Sequence, residues 1–546
     1  MEKKYKTKTI EHLGLVAGMI DELRIVELID QEIKQDFEQR QVTVGQAVKA
    51  MILNGLGFAN RRLYLATHFF ENKPTEELIG KGITASKLNE DTLGKALEKL
   101  YKYGVTELYS LISGQAVKHL GLKPKVGHED TTSFHTDGDY NSKSEIDTDT
   151  KVVKITKGYS RDNRPELNQI GLELIIEHEA SLPLAMLPLS GNANDKIVLK
   201  ETIDRHIKQL EAVGISILVK DSAGYTKDSL EAHQEVGLKW IMRVPATLKE
   251  AKELVAQVNL NNMNSLVKGY KYSSAISKYG GVEQRWLIIY SEESNKSRDK
   301  RAERELLKTS QGEEKAFKKL SNQSFHCEAD AKVAMDNFEN SLKVLKMYNG
   351  KVIEKEHYEK AGRPAKDAKP AGYTYNISGE VVADVSTGNK VKKGRAIFIL
   401  ATNELDSNIL SDAEILSTYK AQAKVERGFR FLKDPMFLAS TLYLKKEERI
   451  MALLMVMTCC LLVYSALEHR IRLVLSTHNQ SVPNQKGRPT YKPTAKWVFE
   501  LFVDVHLLFI TTDNDVEVLT MNLKSELKSL LALLGSSYLR IYFKNS

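Results

Sequence analysis

The sequence predicts an α/β protein, and three observations carry that prediction. ISILVKD, ending at Asp221, is a short run of apolar and β-branched residues, the pattern of a strand covered on both faces. LNQIGLELIIEH and LPLAMLPLS read as two strands joined by a turn at Glu179–Ser181. Apolar residues at three-to-four spacing mark helices before, between and after these runs.

Taken in order, residues 1–122 are a helical region. LGLVAGMIDELRIVELIDQEI, VTVGQAVKAMILNGLGF and EDTLGKALEKLYKYGVTELYSLI all keep the helical period, and the region reads equally as a DNA-binding module or as plain helical packing. The texture changes near residue 124, where KVGHEDTTSFHTDG, bounded by Pro124 and Gly138, suggests a strand. After the two strands above, NDKIVLKETIDRHIKQLEAV reads as a helix and ISILVKD as a strand. Thr226 with Asp228 then opens a helix that leads to the apolar run WIMRV. The order is βββαβαβ, a layered unit spanning 123–245. Residues 246–400 interrupt it with the strand-like RWLIIY, a charged helical stretch from SNKSRDKR onward, and the strands AGYTYNISGEVVADV and GRAIFILAT. GRPAKDAKPAG is a loop by its Gly and Pro content. The layered unit resumes over 401–480, and residues 481–546 read as a C-terminal helical region.

Composition narrows the function classes. The chain of 546 residues carries a formal charge of +8, a mild excess compatible with a polyanionic partner but not proof of one. Three cysteines without a CxxC pair exclude a secreted disulfide framework and argue against structural zinc. The N-terminus has no apolar signal core. IMALLMVMTCCLLVYSAL nears the length of a membrane span, but Thr458, Ser465 and tight charged flanks favour a buried core helix. The expectation is a cytoplasmic protein with no membrane partner.

YKAQAKVERGFRFLKDP (419–435) reads as one helix with an unusual polar stripe. Tyr419, Gln422, Glu426, Arg430 and Lys433 fall within one sector roughly 80° wide at about 100° per residue. Ala421, Val425, Gly428 and Leu432 form an apolar stripe by which the helix can dock. Asp221 closes a buried strand and Asp130 sits in the Thr-rich strand, both positions where α/β sheets carry functional groups. Three carboxylates on separate elements suit hard divalent cations such as Mg²⁺, and a pair of such ions suits phosphodiester chemistry. Arg430 and Lys433 would then hold phosphates, and Tyr419 would donate its hydroxyl or stack near the scissile end. Each signal alone has a plainer reading. Glu426 with Arg430 is an ordinary i, i+4 pair worth about 0.3–0.5 kcal/mol. Asp221 is a turn residue by position. Asp130 competes with Glu129, Asp137 and Asp139.

Together the residues resemble a DDE-type transposase of bacterial insertion sequences, in the insertion-sequence-four superfamily. Its signature of Tyr, two residues, Arg, three residues, Glu, six residues, Lys is matched in spacing by Tyr419, Gln422, Glu426 and Lys433. HEDTTSF, GYSRDNRPELNQ, PLSGNANDK, KDSAGYTKDSLE, VERGFRFLKDP and AKWVFELF are similar to its blocks, with the best fit in the sixteen-thirty-four branch, from about residue 80 to 505. The resemblance implies an RNase H-like core with an α+β insertion, and a catalytic trio of Asp130, Asp221 and Glu426. These would bind two Mg²⁺, replaceable by Mn²⁺. It implies cleavage at the transposon end and joining of the 3′-hydroxyl to target DNA by a homodimer, with Tyr419 and Lys433 on the DNA end. Gln422 departs from the signature, because a neutral amide stands where the family has a cation. Arg161 and Arg164 in GYSRDNRPE are further candidates to face DNA. Three alternatives remain: a metal-dependent nuclease of the same core without strand transfer, a DNA-binding protein whose catalysis has decayed, and a structural protein that binds no nucleic acid and whose charged helix faces merely solvate it.

Overall fold

The structure, a computed structural model, describes residues 3–35, 41–58, 65–136, 153–158, 164–192, 210, 213–358, 370–383, 396–433, 446–512 and 516–543. It divides into two compact units. The first comprises Met1–Pro245, Ile276–Trp286 and Leu400–Ser546, and the second comprises Ala246–Ala275 and Leu287–Ile399.

In the first unit the N-terminal region is helical, with helices at Leu13–Glu22, Ile25–Glu32, Val44–Leu56, Glu90–Tyr103 and Val105–His119. Two of them start on strong local signals. Thr43 and Gln46 form a reciprocal capping box, and Asn89 accepts the Thr92 N–H. Every residue of Val44–Leu56 except Gln46 is buried, so that helix has no face with which to read a DNA groove. The reason is the apolar run at 450–467. It lies in a helix, Glu447–Thr477, that is long and apolar enough to span a membrane but is buried against Leu13–Glu22, Val44–Leu56, Glu90–Tyr103 and Val105–His119.

The strand β1 (Lys4–Thr9) pairs antiparallel with His506–Thr511, which pairs in turn with Val516–Met521. The C-terminal region expected to be wholly helical therefore contains a hairpin completed by the N-terminus. Val516–Met521 pairs with its near neighbour His506–Thr511, but β1 joins that hairpin from some five hundred positions away, where no local pattern reaches.

The same ends meet again through glycines. Gly14 and Gly18, one turn apart on Leu13–Glu22, face the rings of Tyr542 and Tyr538, and a Cβ on Gly18 would lie 2.5 Å from Tyr538 Cδ1. That ring is fully buried, and its hydroxyl donates to Glu22 at 2.6 Å, so it has little room to yield. Gly18→Ala gains up to about 1 kcal/mol of helix propensity, but overpacking costs about 1–3 kcal/mol. The expected outcome is a lower Tm in thermal unfolding; an unchanged or raised Tm would refute the close contact.

The core sheet of this unit follows the predicted strands. β2 (Val126–Thr136), β4 (Asn168–Glu177) and β5 (Pro183–Ser190) form an antiparallel set, with the short β3 (Thr156–Lys157) on the same edge of β4 as β5. On its other side β2 pairs parallel with β6 (Ile217–Lys220), and β6 pairs parallel with β7 (Lys239–Arg243). Leu400–Thr402 then adds antiparallel to β7. The sheet is therefore mixed. The crossover from β6 to β7 is the helix Lys227–Glu235, capped by Thr226, whose hydroxyl accepts the Ser229 N–H at 3.3 Å. The helix predicted over NDKIVLKETIDRHIKQLEAV lies outside the described residues, except for Leu210 and Val213.

The second unit is α+β. The helix Glu292–Ser321 starts on the Ser291 side chain, and Leu345–His357 pairs antiparallel with Gly372–Ala383. Glu313, within that helix, accepts the N–H groups of Lys343, Val344 and Leu345 at 2.7–3.3 Å, tying the start of the hairpin to it. Most of the expected loop GRPAKDAKPAG lies outside the described residues.

Candidate active site

Strand register brings the two aspartates together. In the parallel ladder Val126, Gly127 and His128 partner Ile217, Leu218 and Val219. One residue further, Glu129 and Lys220 form a buried ion pair at 2.5 Å, so the register continues to the end of β6. The next positions are Asp130 and Asp221. Asp221 follows β6 with extended dihedrals (φ −76°, ψ −176°), which carry the chain on in the strand direction. Side chains alternate across a strand, so the two aspartates project from the face opposite Glu129 and Lys220. Each is half-buried and anchored by backbone: Asp130 accepts the Thr131 N–H at 2.8 Å and Asp221 the Ala223 N–H at 2.7 Å.

The Glu426 helix docks on that same face. The stretch 419–435, expected as one helix, is two: Asp412–Lys420 and Ala423–Leu432. Ala421 and Gln422 keep right-handed helical dihedrals, but the joint tightens to three-residue hydrogen bonds, Gln422 N–H to Tyr419 and Val425 N–H to Gln422. The second helix ends at Leu432, two residues before the Asp434–Pro435 bond, as a following proline favours. Its apolar side buries Val425, Phe429 and Leu432, and Gly428 lies between β4 and the long helix. A Cβ there would meet Ile176 Cδ1 at 3.0 Å and Leu461 Cδ2 at 3.2 Å. Gly428→Leu is therefore expected to push the helix from the sheet, costing about 1–3 kcal/mol of stability. Thermal-unfolding curves check this, and an unchanged Tm in Gly428→Leu would refute it.

Tyr419 links the elements. Its helix starts on a Ser411–Glu414 capping box and is held by buried Arg285, which contacts Asp412 at 3.0 Å. Burial raises the Tyr419 phenol above its ordinary range, and the negative charges of Asp221 and Glu426 push the same way. The guanidinium of Arg243, hydrogen-bonded to the phenol, opposes them. Tyr419 thus senses one aspartate and the helix glutamate at once. Glu426 itself is exposed in the first turn of its helix. Among the described residues no three Asp, Glu, His or Cys side chains stand close enough to hold one ion. Asp130, Asp221 and Glu426 therefore share a face and an end of the sheet without forming a closed cage. Their chemistry still fits Mg²⁺ or Mn²⁺, since all three offer hard carboxylate oxygens.

The expected DNA-facing residues are spread more widely. Gln422 sits half-buried at the helix joint without a side-chain cap bond. Arg430 is exposed in the last turn, and the Lys433 ammonium lies 5.8 Å from the centre of the Phe134 ring on β2, on the aspartate face. Arg164 is exposed and ion-paired to Glu166, while Arg161 lies outside the described residues. Arg243 was not singled out from the sequence; its only signal was a lone cation within the apolar run WIMRV.

Residues 140–463 match the family described as "Transposase DDE domain". That match takes in Asp221 and Glu426 and begins beyond Asp130. Residues 5–114 match "Domain of unknown function (DUF4277)". No curated protein matches the chain. Among solved structures, the chain is similar to the cryo-EM structure of a piggyBac transposase synaptic complex with hairpin DNA. The identity is 11% and the TM-score 0.38, over 90% of this chain and 78% of that one.

Proposed function

The chain belongs to the family of transposases with a DDE domain, and from that premise we propose that it is a cut-and-paste enzyme. It would cleave the ends of an insertion sequence and transfer the resulting 3′-hydroxyl into target DNA. The proposed core is RNase H-like with an α+β insertion, in the insertion-sequence-four superfamily and its sixteen-thirty-four branch. The observation that carries the reading is the neighbouring placement of Asp130, within β2, and Asp221, at the end of β6, with the Glu426 helix docked on their face.

Asp130, Asp221 and Glu426 would hold two Mg²⁺ ions, which when bound supply Lewis-acid activation of the attacking oxygen and neutralise charge on the leaving oxygen. The protein's own groups have distinct tasks. The Ala223 and Thr131 amides keep the aspartates aimed. Arg430, Lys433, Arg161 and Arg164 would track the phosphate backbone, and Tyr419 with Gln422 would orient the DNA end. Two ends are processed together by a homodimer.

The test uses the full chain, Mg²⁺ or Mn²⁺, and a duplex ending in the inverted repeat that flanks the gene. Nicking at the repeat boundary followed by joining to a second duplex is the expected result. Nicking without joining would reduce the protein to a nuclease, and binding without nicking would make it a decayed DNA-binding protein. In crystals soaked with Mn²⁺, anomalous peaks within about 2.0–2.4 Å of the three carboxylates are expected. Peaks absent from a closed, DNA-bound complex would remove the metal assignment.

A further inference from the structure

We propose that Arg243 positions the DNA-end phosphate, supplying from the sheet the guanidinium that the helix stripe lacks at Gln422. The proposal rests on the DNA-cleavage reading above and adds to it a residue outside the Tyr–Gln–Glu–Lys stripe.

The argument starts from register. Lys220 partners Met242 in the parallel ladder, so the next step sets Arg243 beside Asp221, which itself stands beside Asp130. Adjacent strands lie about 4.8 Å apart, so three neighbouring strands carry carboxylate, carboxylate and guanidinium in a row. Met242 is buried on the side that carries Lys220, whereas Arg243 is exposed and, by alternation, on the aspartate side. Its side chain reaches the Tyr419 hydroxyl, which lies in the field of Asp221 and Glu426.

Two divalent ions on three carboxylates leave a net charge of only about +1, so a fixed guanidinium beside them adds to the attraction for a phosphodiester and orients it. On the helix stripe the position between Tyr419 and Glu426 is the neutral Gln422, and Lys433 is engaged at the far end on Phe134. Arg243 is the cation that touches Tyr419 and neighbours Asp221. A guanidinium presents five N–H donors in a planar fork, so one group can hold a phenol and a phosphate oxygen at the same time.

The test compares wild type with Arg243→Gln, Arg243→Lys and the pair Arg243→Gln/Gln422→Arg, using the inverted-repeat duplex. Glutamine keeps a donor for Tyr419 while removing the charge, so the fold is held and Tm serves as the control. Binding measured in Ca²⁺ across a salt series should lose about one unit of log–log slope in Arg243→Gln, one phosphate contact being worth about 0.9. Cleavage in Mg²⁺ should fall about tenfold or more, the range of one charge-assisted hydrogen bond. Arg243→Lys should keep the slope but not the full cleavage rate. The double variant should recover the slope, a rescue that a merely structural arginine would not show. An Arg243→Gln protein with wild-type slope and rate overturns the proposal while leaving the cleavage reading standing, and so does a double variant no better than Arg243→Gln. A wild-type protein that neither binds nor cuts the duplex overturns both.

Discussion

Asp221→Asn is expected to abolish cleavage while leaving the fold intact. The asparagine oxygen can still accept the Ala223 N–H that Asp221 accepts at 2.7 Å, so the turn Ser222–Gly224 keeps its cap. The loss is therefore electrostatic: a neutral amide is a weak ligand for a hard cation and provides no negative charge beside Asp130. A metal ion's stabilisation of transition-state charge is worth several kcal/mol, which corresponds to a fall of about 10³-fold or more in cleavage rate. The measurement is single-turnover nicking in Mg²⁺ alongside Tm and duplex binding. Asp221→Asn that binds DNA, melts like wild type and does not cut is the expected combination. A variant that cuts within tenfold of wild type would mean Asp221 serves the turn and not the chemistry.

The second large effect lies directly behind the aspartates. Lys220 and Glu129 pair at 2.5 Å with side chains only 5% and 8% exposed, on the opposite face of the same two strands. The nearby His233 is no alternative cation. Burial, aided by the Lys220 charge, pushes its pKa down to about 3, and its Nδ1 donates to the Ser229 carbonyl. Removing one member of a buried pair leaves the other uncompensated in the interior, which costs about 3–5 kcal/mol. Lys220→Met is thus expected to lower unfolding stability by that amount in denaturant titration. Lys220→Met with Glu129→Leu should regain most of it, because two well-packed apolar side chains need no desolvation of charge. Should the double variant prove no more stable than the single one, the charge pair would not be the source of the loss. Since β2 carries Asp130 and β6 leads directly into Asp221, a frayed register here would also depress cleavage.

Much of the fold was legible locally. β2, β4, β5, β6 and β7 occupy runs whose composition and period mark them as strands, and Thr226 announces its helix by side-chain chemistry alone. Alternation also foretells that residues two apart share a face, so Asp130 goes with His128 and Phe134. Local pattern misled where it was continuous but the chain was not. The 3.6-residue period runs through 419–435, yet the hydrogen bonds tighten to three-residue spacing at Ala421–Gln422, a joint no side chain there advertises.

The sequence by itself determined the segments that become strands and helices, the buried character of 450–467 and the residue types available for metal and phosphate. Tertiary structure alone decided which of these become neighbours. The 126↔217 and 217↔239 registers that line up Asp130, Asp221 and Arg243, and the pairing of β1 with His506–Thr511, are of that kind. So is the wrapping of N-terminal helices around Glu447–Thr477. The physical reason is range. Dihedral preference, capping and periodicity act over a few residues, whereas register and packing come from burying apolar faces and satisfying backbone hydrogen bonds between segments a hundred or more residues apart.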